Sequence, residues 1–244
     1  MGISDDITMP RRIKPLIILI DTTLLSEDNT SLINNSIKSS IELLDENPDY
    51  EYRFNILIYS TESSWIYDKF VQVRINEWKD INRLDDDRIN FYNVAMKLNE
   101  KLSRKFFDHH MIGQIGGYHA PIIILAVKEN PSENFEKGIK LLKNNNWFKS
   151  SLRIVLNFGE HTEILYKFTN LDKNTFDGCH YNSNKLVINV NNILDLDKYI
   201  KMSILDIEKI FPQKYYSDDN FDQSYIDNSI DRSLNELKKK WNII

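Results

Sequence analysis

The sequence predicts an α/β domain: a doubly wound, mostly parallel sheet with helices on both faces and one antiparallel edge strand. Three observations predict this class. Short, continuous apolar runs rich in β-branched residues are typical of strands that are buried on both faces. Segments of helical periodicity separate most of these runs, and strand–helix repeats build parallel sheets. Two of the runs are joined by a short polar turn alone, which indicates a hairpin at the edge of the sheet.

Each strand is predicted from its own apolar run. Five runs have the composition of buried strands: Leu16–Ile20, Phe54–Tyr59, Pro121–Val127, Leu152–Phe158 and Lys185–Val190. A sixth run, Trp65–Val73, follows the polar turn Ser60–Ser64. We expect it to return along Phe54–Tyr59 as the antiparallel edge strand.

Helices are predicted where apolar residues recur at three- and four-residue spacing. The first predicted helix carries Ile33, Ile37, Ile41 and Leu44 on one face. Further helices are predicted over residues 90–107, 132–144, 160–168 and 193–210. These elements define an α/β domain over residues 12–211, preceded by an N-terminal tail of residues 1–11.

Residues 212–244 depart from this pattern and are predicted to form an acidic linker followed by an amphipathic helix. One face of that helix carries Ile226 and the four candidate partner-docking residues: Ile230, Leu234, Leu237 and Trp241. An apolar stripe of this size favours burial, either against the α/β domain or against another protein. The pattern alone does not favour one of these over the other.

The composition limits the classes of function. The chain has 31 Lys and Arg against 36 Asp and Glu, and this net charge of −5 argues against a general nucleic-acid binder. Its single cysteine excludes an internal disulfide and fits a reducing compartment. The apolar run Pro15–Ile20 is far shorter than the about 20 residues that cross a bilayer. We therefore expect a cytoplasmic protein that does not enter a membrane.

The predicted fold also indicates where a site should lie. In open α/β sheets, ligands bind beyond the carboxyl ends of the strands, at the point where the strand order reverses. Three segments are expected to meet there: the loop after Ile20, the turn before the helix at Asn93 and the loop after Val127. The first of these loops begins with Asp21, which is the candidate polar residue at the end of the first strand.

At this point the chain resembles a known family. The stretch Pro15–Thr23, then a helix, then Phe54–Tyr59 with a returning strand, is similar to the von Willebrand factor A (VWA) domain, particularly the bacterial tellurite-resistance type. The similarity covers residues 12–210 in the order of elements. It implies a metal-ion-dependent adhesion site (MIDAS), in which an Asp-x-Ser-x-Ser loop, a Thr before the middle helix and an Asp after the fourth core strand supply oxygen ligands to Mg²⁺.

Most of that motif is absent. Asp21 and Thr23 match its first two positions, but Leu25 occupies the third and has no oxygen. Asn90 stands where the Thr is expected, and Lys128 stands where the Asp is expected. A lysine charge near Asp21 would repel Mg²⁺ by roughly several kcal/mol in a medium of effective dielectric about 20. We therefore expect a degenerate site without metal or cofactor, in which the Lys128 ammonium neutralises Asp21.

Two hypotheses of function follow. The sequence carries no recognisable catalytic triad or cofactor loop, and His109–His110 and Cys179 lack the neighbours of a zinc site or a nucleophile. The resemblance implies a non-enzymatic protein–protein interaction module in a bacterial multiprotein system of stress, defence or signalling, with a kinase, phosphatase or ATPase as partner. The alternative is a small phosphotransfer or nucleotide-binding protein that uses Asp21 as phosphate acceptor and Lys128 as the cation beside it.

Overall fold

One sheet with helices on both faces forms the body of the molecule. The structure is a computed structural model. It describes residues 12–46, 50–72, 78–86, 88–103, 119–129, 134–160, 162–169, 186–207, 232–233 and 235–240. Within this part of the chain, no helix is both long enough and apolar enough to span a membrane.

The strands confirm the predicted fold class. They are β1 (Arg12–Asp21), β2 (Tyr50–Tyr59), β3 (Ser63–Trp65), β4 (Val71–Gln72), β5 (Ile122–Val127), β6 (Leu152–Asn157) and β7 (Val187–Asn189). Their order in the sheet is β3-β2-β1-β5-β6-β7, and β4 also pairs with β2. The pairs among β1, β2, β5, β6 and β7 are parallel, whereas β3 and β4 run antiparallel to β2.

The helices cover both faces of this sheet. They are α1 (Glu27–Glu42), α2 (Phe91–Lys101), α3 (Phe135–Leu142), α4 (Asn146–Ser150), α5 (Thr162–Thr169) and α6 (Leu196–Met202). Short 3₁₀ turns occupy Thr22–Leu24, Leu43–Glu46 and Ile193–Asp195, and a wider π-type turn, Ser203–Ile207, continues α6. Residues 235–240 are also helical.

Alternate residues of the central strands feed two separate apolar cores. On one face, Leu16, Ile18 and Ile20 of β1 pack with residues of α1 and α6, and we call this the α1–α6 face. On the other face, Ile17 and Leu19 pack with residues of α2, α3 and α5. Because β1 is covered on both sides, it can be apolar along nearly its whole length, which explains the continuous run in the sequence.

The strand order reverses at β1, and this reversal creates the edge where a site is expected. The chain crosses from β1 to β2 on one side and later returns to β5 on the other. In register, Asp21 lies opposite Tyr59 of β2, while Ile20 lies opposite Ala126 of β5. The loops that follow β1, β2 and β5 therefore leave the sheet together, at what we call the carboxyl edge.

The predicted edge strand Trp65–Val73 runs antiparallel to β2 as expected, but it is not continuous: it contains the last residue of β3 and all of β4, with a bend between them. Asn55 of β2 explains the interruption. Its Nδ2 donates to the carbonyl oxygens of Tyr67 (2.8 Å) and Lys69 (3.1 Å), and its Oδ1 accepts from the NH of Tyr67 (3.4 Å). A buried side chain thus takes the place of the main-chain ladder along this part of the edge.

Two lysines of α2 bind carbonyl groups of the same edge. Lys97 donates from Nζ to the carbonyl oxygen of Ser63 in β3. Lys101 donates to the carbonyl oxygen of Asp68 at 2.7 Å, and its Nζ lies 4.7 Å from the centre of the Trp65 ring. Burial lowers the pKa of Lys101 to about 8. These contacts attach the middle helix to the hairpin.

Several helix boundaries differ from the prediction. The predicted helices over residues 132–144 and 193–210 are shorter or divided, because turns flank α3 and a π-type turn follows α6. Helix α4 was not predicted from the sequence. Its start is fixed by Asn145, whose Oδ1 accepts from the NH of Phe148 at 3.0 Å in the manner of a helix N-cap.

Candidate functional site

Asp21 ends the central strand and is fully buried, with 0% of its surface exposed. The fold dictates this burial, since β1 is flanked by two strands and covered on both faces. The chain then turns at once into the 3₁₀ turn Thr22–Leu24, which Asp21 caps. A carboxylate in such surroundings is stable only if hydrogen bonds or charges compensate for the lost water.

Four protein donors provide that compensation. Oδ1 of Asp21 accepts from the NH of Thr23 at 2.8 Å and from its hydroxyl at 2.7 Å. Oδ2 accepts from the NH groups of Lys128 and Glu129, both at 3.0 Å. The second pair crosses the point of strand reversal, because Lys128 and Glu129 follow β5. We call these four hydrogen bonds the Asp21 clamp.

The expected neutralisation of Asp21 by the Lys128 ammonium is wrong. The side chain of Lys128 is exposed, and among the described residues no ion pair joins it to Asp21. Its main-chain NH makes the contact instead. Consecutive NH groups at the start of a loop can converge on one anion, so that the carboxylate is satisfied by dipoles without a neighbouring cation.

Leu25 and Asn90 are the other two residues at which the resemblance implies ligand positions. Leu25 is buried in the core of the α1–α6 face, where it packs and cannot act as a ligand. Asn90 precedes α2, and its NH donates to the carbonyl oxygen of Ser60 at the end of β2 (2.9 Å). Its Oδ1 is buried without a hydrogen-bond partner in the described part of the chain. The structure therefore joins Asp21 to Lys128 directly and holds Asn90 beside the neighbouring strand.

The loop after β6 supports the clamp from its other side. The NH of Phe158 donates to the carbonyl oxygen of Val127 at 2.8 Å. A Cβ atom added at Gly159 would lie only 2.1 Å from the carbonyl oxygen of Lys128, so this close approach of two main chains requires glycine. Oδ1 of Asn157 accepts from the NH of Gly159 at 3.1 Å and holds the turn in place.

Residues 78–86 form a wall on the opposite side of Asp21, on the α1–α6 face. Oγ1 of Thr22 accepts from the NH of Leu84 at 2.8 Å, which ties the wall to the turn after β1. Oδ1 of Asn34 in α1 accepts from the NH of Ile81, also at 2.8 Å. The loop after β1 is thus fixed between the wall and the loop after β5.

The solvent-facing rim of this edge carries charges of both signs. Lys128 and Glu129 are exposed. Nη2 of Arg88 lies 2.9 Å from Oδ2 of Asp86 in an exposed ion pair. Hydrogen bonds from Arg88, and a further one from Thr61, hold the pKa of Asp86 well below its usual range. The rim therefore presents a polar surface above a rigid, buried clamp.

The donor set at this edge does not fit a divalent cation. Hard cations need several oxygen ligands that are free to coordinate. Each Asp21 oxygen already accepts two hydrogen bonds, and both donors to Oδ2 are main-chain NH groups, which cannot ligate a cation. Within the described ranges, no group of three His, Cys, Asp or Glu side chains could hold a metal.

Sequence reasoning missed three residues that complete the site: Thr22, Tyr59 and Gly159. The hydroxyl of Tyr59 donates to the carbonyl oxygen of Ala126 at 3.3 Å, and burial together with the charge of Asp21 raises its pKa well above the usual value. A glycine directly after a predicted strand, in a chain with only 7 glycines, was a usable signal for Gly159. Nothing in the sequence distinguished Tyr59 from the other aromatic residues of the core.

The predicted docking tail is described only in part. Leu237 is half-buried and packs against the core of the α1–α6 face. Nζ of Lys240 lies 2.8 Å from Oδ2 of Asp206, so this part of the tail contacts its own α/β domain. The other predicted positions lie outside the described residues, as do the histidine pair and the cysteine: Ile226, Ile230, Leu234, Trp241, His109, His110 and Cys179.

Comparison with known proteins identifies the fold. No protein-family model and no curated protein matches the chain. The structure of proximal thread matrix protein 1 from the mussel byssus matches with a TM-score of 0.54 and 12% identity over 80% of this chain and 47% of that chain. A second crystal form of that protein gives a TM-score of 0.52 with 12% identity over 80% and 48%.

A von Willebrand factor type A structure from Catenulispora acidiphila is also similar, with a TM-score of 0.47 and 10% identity over 80% of this chain and 42% of that chain. This chain spans about half the length of the mussel protein that it matches. At such identities the likeness shows the fold alone, and the chain shares a mostly parallel α/β fold with the mussel protein.

Proposed function

We propose that the chain is a non-enzymatic protein–protein interaction module whose MIDAS-like site is degenerate and works without metal. The observation that carries this proposal is the Asp21 clamp. In a metal site this carboxylate would help to hold the ion. Here it accepts hydrogen bonds from four protein donors and fixes the loops of the carboxyl edge. The polar rim above it, including Lys128 and Glu129, is the surface offered to a partner.

The fold supports this class of function, because VWA-like folds commonly mediate protein–protein interaction. A third structure of the mussel protein has a MIDAS motif occupied by zinc. The carboxyl edge of this chain differs from such a motif in its donors. Here the positions of Leu25 and Lys128 supply no oxygen ligand, and main-chain NH groups fill the space around Asp21. A rigid edge held by hydrogen bonds can present the same loops without an ion.

The proposal extends to the setting in which the module acts. We place it in the bacterial cytoplasm, in a multiprotein system of stress, defence or signalling related to the tellurite-resistance type. Its partner in that system would be a kinase, a phosphatase or an ATPase. The support is the resemblance of the elements and of Asp21-Thr22-Thr23 to that type.

The phosphotransfer alternative is disfavoured by the same geometry. An aspartate that accepts a phosphoryl group needs a carboxylate oxygen that can approach the phosphorus, with a cation beside it. Asp21 is fully buried, both of its oxygens accept hydrogen bonds, and the Lys128 side chain is exposed and unpaired with it among the described residues.

Site-specific photo-crosslinking in the native cells tests the proposal. A photoreactive amino acid at Lys128 is compared with the same amino acid at Lys140, which is exposed on α3 away from the carboxyl edge. We expect a specific protein adduct from position 128, none from position 140, and the same yield when EDTA is present. An adduct that requires Mg²⁺, or identical adducts from both positions, would contradict the proposal.

A further inference from the structure

The α1–α6 face carries a second candidate surface, built from residues other than those of the Asp21 clamp. After Met202, helix α6 widens into the π-type turn Ser203–Ile207. Turns of this kind are rare in proteins, and many of those known lie at functional sites. Asp206 lies in the turn, and only 7% of its side chain is exposed. The face thus holds a mostly buried carboxylate next to an apolar core.

The chain's own C-terminal helical segment, residues 235–240, occupies this surface. Leu237 packs against the core of the face. Lys240 donates from Nζ to Oδ2 of Asp206 at 2.8 Å. Leu237 and Lys240 are three residues apart and therefore lie on the same side of a helix. The surface thus recognises one apolar side chain and one ammonium group at a fixed helical spacing.

We propose that this surface is a docking site for a partner helix that carries a leucine-like residue followed three positions later by a lysine, and that residues 235–240 are its internal competitor. Charge complementarity identifies the occupant, because the mostly buried Asp206 carboxylate already accepts a lysine ammonium group from a helical segment on this face. The apolar core beside Asp206 selects the leucine. This proposal uses residues other than those of the interaction surface proposed above and does not depend on it.

The contacts that hold the segment are of the kind that a competitor can replace. Lys240 keeps 59% of its side chain exposed, and Leu237 is only half-buried. Water reaches the Lys240 end of the ion pair, so a second ammonium group can exchange with it at Asp206. A tethered segment nevertheless stays bound, because its attachment to the chain gives it a high effective concentration. A partner helix that makes the same pair of contacts and buries more apolar area would displace it.

A peptide-binding experiment on the full-length chain tests this proposal. The probe is a fluorescent peptide with the sequence of residues 232–244, and fluorescence anisotropy measures its dissociation constant. Lys240→Glu in the chain breaks the internal ion pair, and Lys239→Glu is the matched control, because it makes the same charge change at an exposed neighbour. Lys240→Arg keeps a cation at the position. Circular dichroism checks that every variant is folded.

We expect the peptide to bind the Lys240→Glu chain about tenfold or more tightly than the wild type, the Lys239→Glu chain or the Lys240→Arg chain, since removing an internal competitor raises the apparent affinity. The same peptide carrying Lys240→Glu should bind the open chain at least about tenfold more weakly. Equal binding to all four chains, or no binding to any of them, would overturn the proposal. A wild-type dimer held by exchanged tails would overturn the assignment of the segment as an internal competitor.

Discussion

Replacing Asp21 by alanine tests whether the clamp holds the carboxyl edge together. The change leaves four donors without their acceptor, including the NH groups of Lys128 and Glu129 on the far side of the strand reversal. A hydrogen bond to a charged group contributes about 1.5–3 kcal/mol, so loss of these two alone should lower the free energy of unfolding by about 3 kcal/mol or more. In a chain of this size, that corresponds to a fall in Tm of about 6–12 °C.

Thermal unfolding followed by calorimetry measures this effect. Asp85→Ala is the matched control, because Asp85 is an exposed carboxylate in the wall beside the same edge and its loss should change the stability by less than about 0.5 kcal/mol. The Tm of Asp21→Asn should lie between those of Asp21→Ala and Asp85→Ala, because asparagine keeps one acceptor oxygen but loses the charge. A Tm for Asp21→Ala within about 1 °C of the wild type would refute the reasoning, as would a wild-type Tm that rises several degrees with Mg²⁺.

Three further predictions concern other parts of the molecule. Gly159→Ala should lower the free energy of unfolding by about 1–3 kcal/mol, measured by urea denaturation, because its Cβ would overlap the carbonyl oxygen of Lys128. Burial, aided by the charge of Lys14, lowers the pKa of His119 to about 4. Between about pH 6.5 and 4 the unfolded chain therefore binds more protons, so the urea midpoint should be lower at pH 5 than at pH 7, and His119→Phe should reduce that difference. Titration calorimetry with Mg²⁺ should give no heat of binding at micromolar affinity; such heat, abolished by Asp21→Ala, would show that Asp21 does bind the cation.

The sequence predicted the fold where burial alone determines structure. The apolar runs became β1, β2, β5, β6 and β7, since strands covered on both faces need little besides apolar, β-branched residues. It failed along the edge, where the side chain of Asn55 binds the segment after β3 and interrupts the ladder. A buried asparagine in a strand gives no local indication of which distant main-chain groups it will bind.

The meeting of two loops at the carboxyl edge was predicted, but the chemistry of their contact was not. The topology rule brought Asp21 and Lys128 to one edge, and the structure places them in direct contact. The expected donor was the Lys128 ammonium group, because a sequence distinguishes residues by their side chains alone. The donors are main-chain NH groups, which every residue except proline possesses. Their convergence on Asp21 depends on the path of the loop, and that path depends in turn on Gly159.

The contacts of Lys97 and Lys101 with the hairpin also have a consequence for self-association of the protein. Unpaired strand edges attract strands from other molecules, and this pairing is a common origin of aggregation. At this edge the carbonyl oxygens of Ser63 and Asp68 already accept hydrogen bonds from Lys97 and Lys101. A foreign strand would have to displace both ammonium groups before it could use those acceptors. The contacts that attach a helix to a hairpin therefore also protect that side of the sheet from self-association at high concentration.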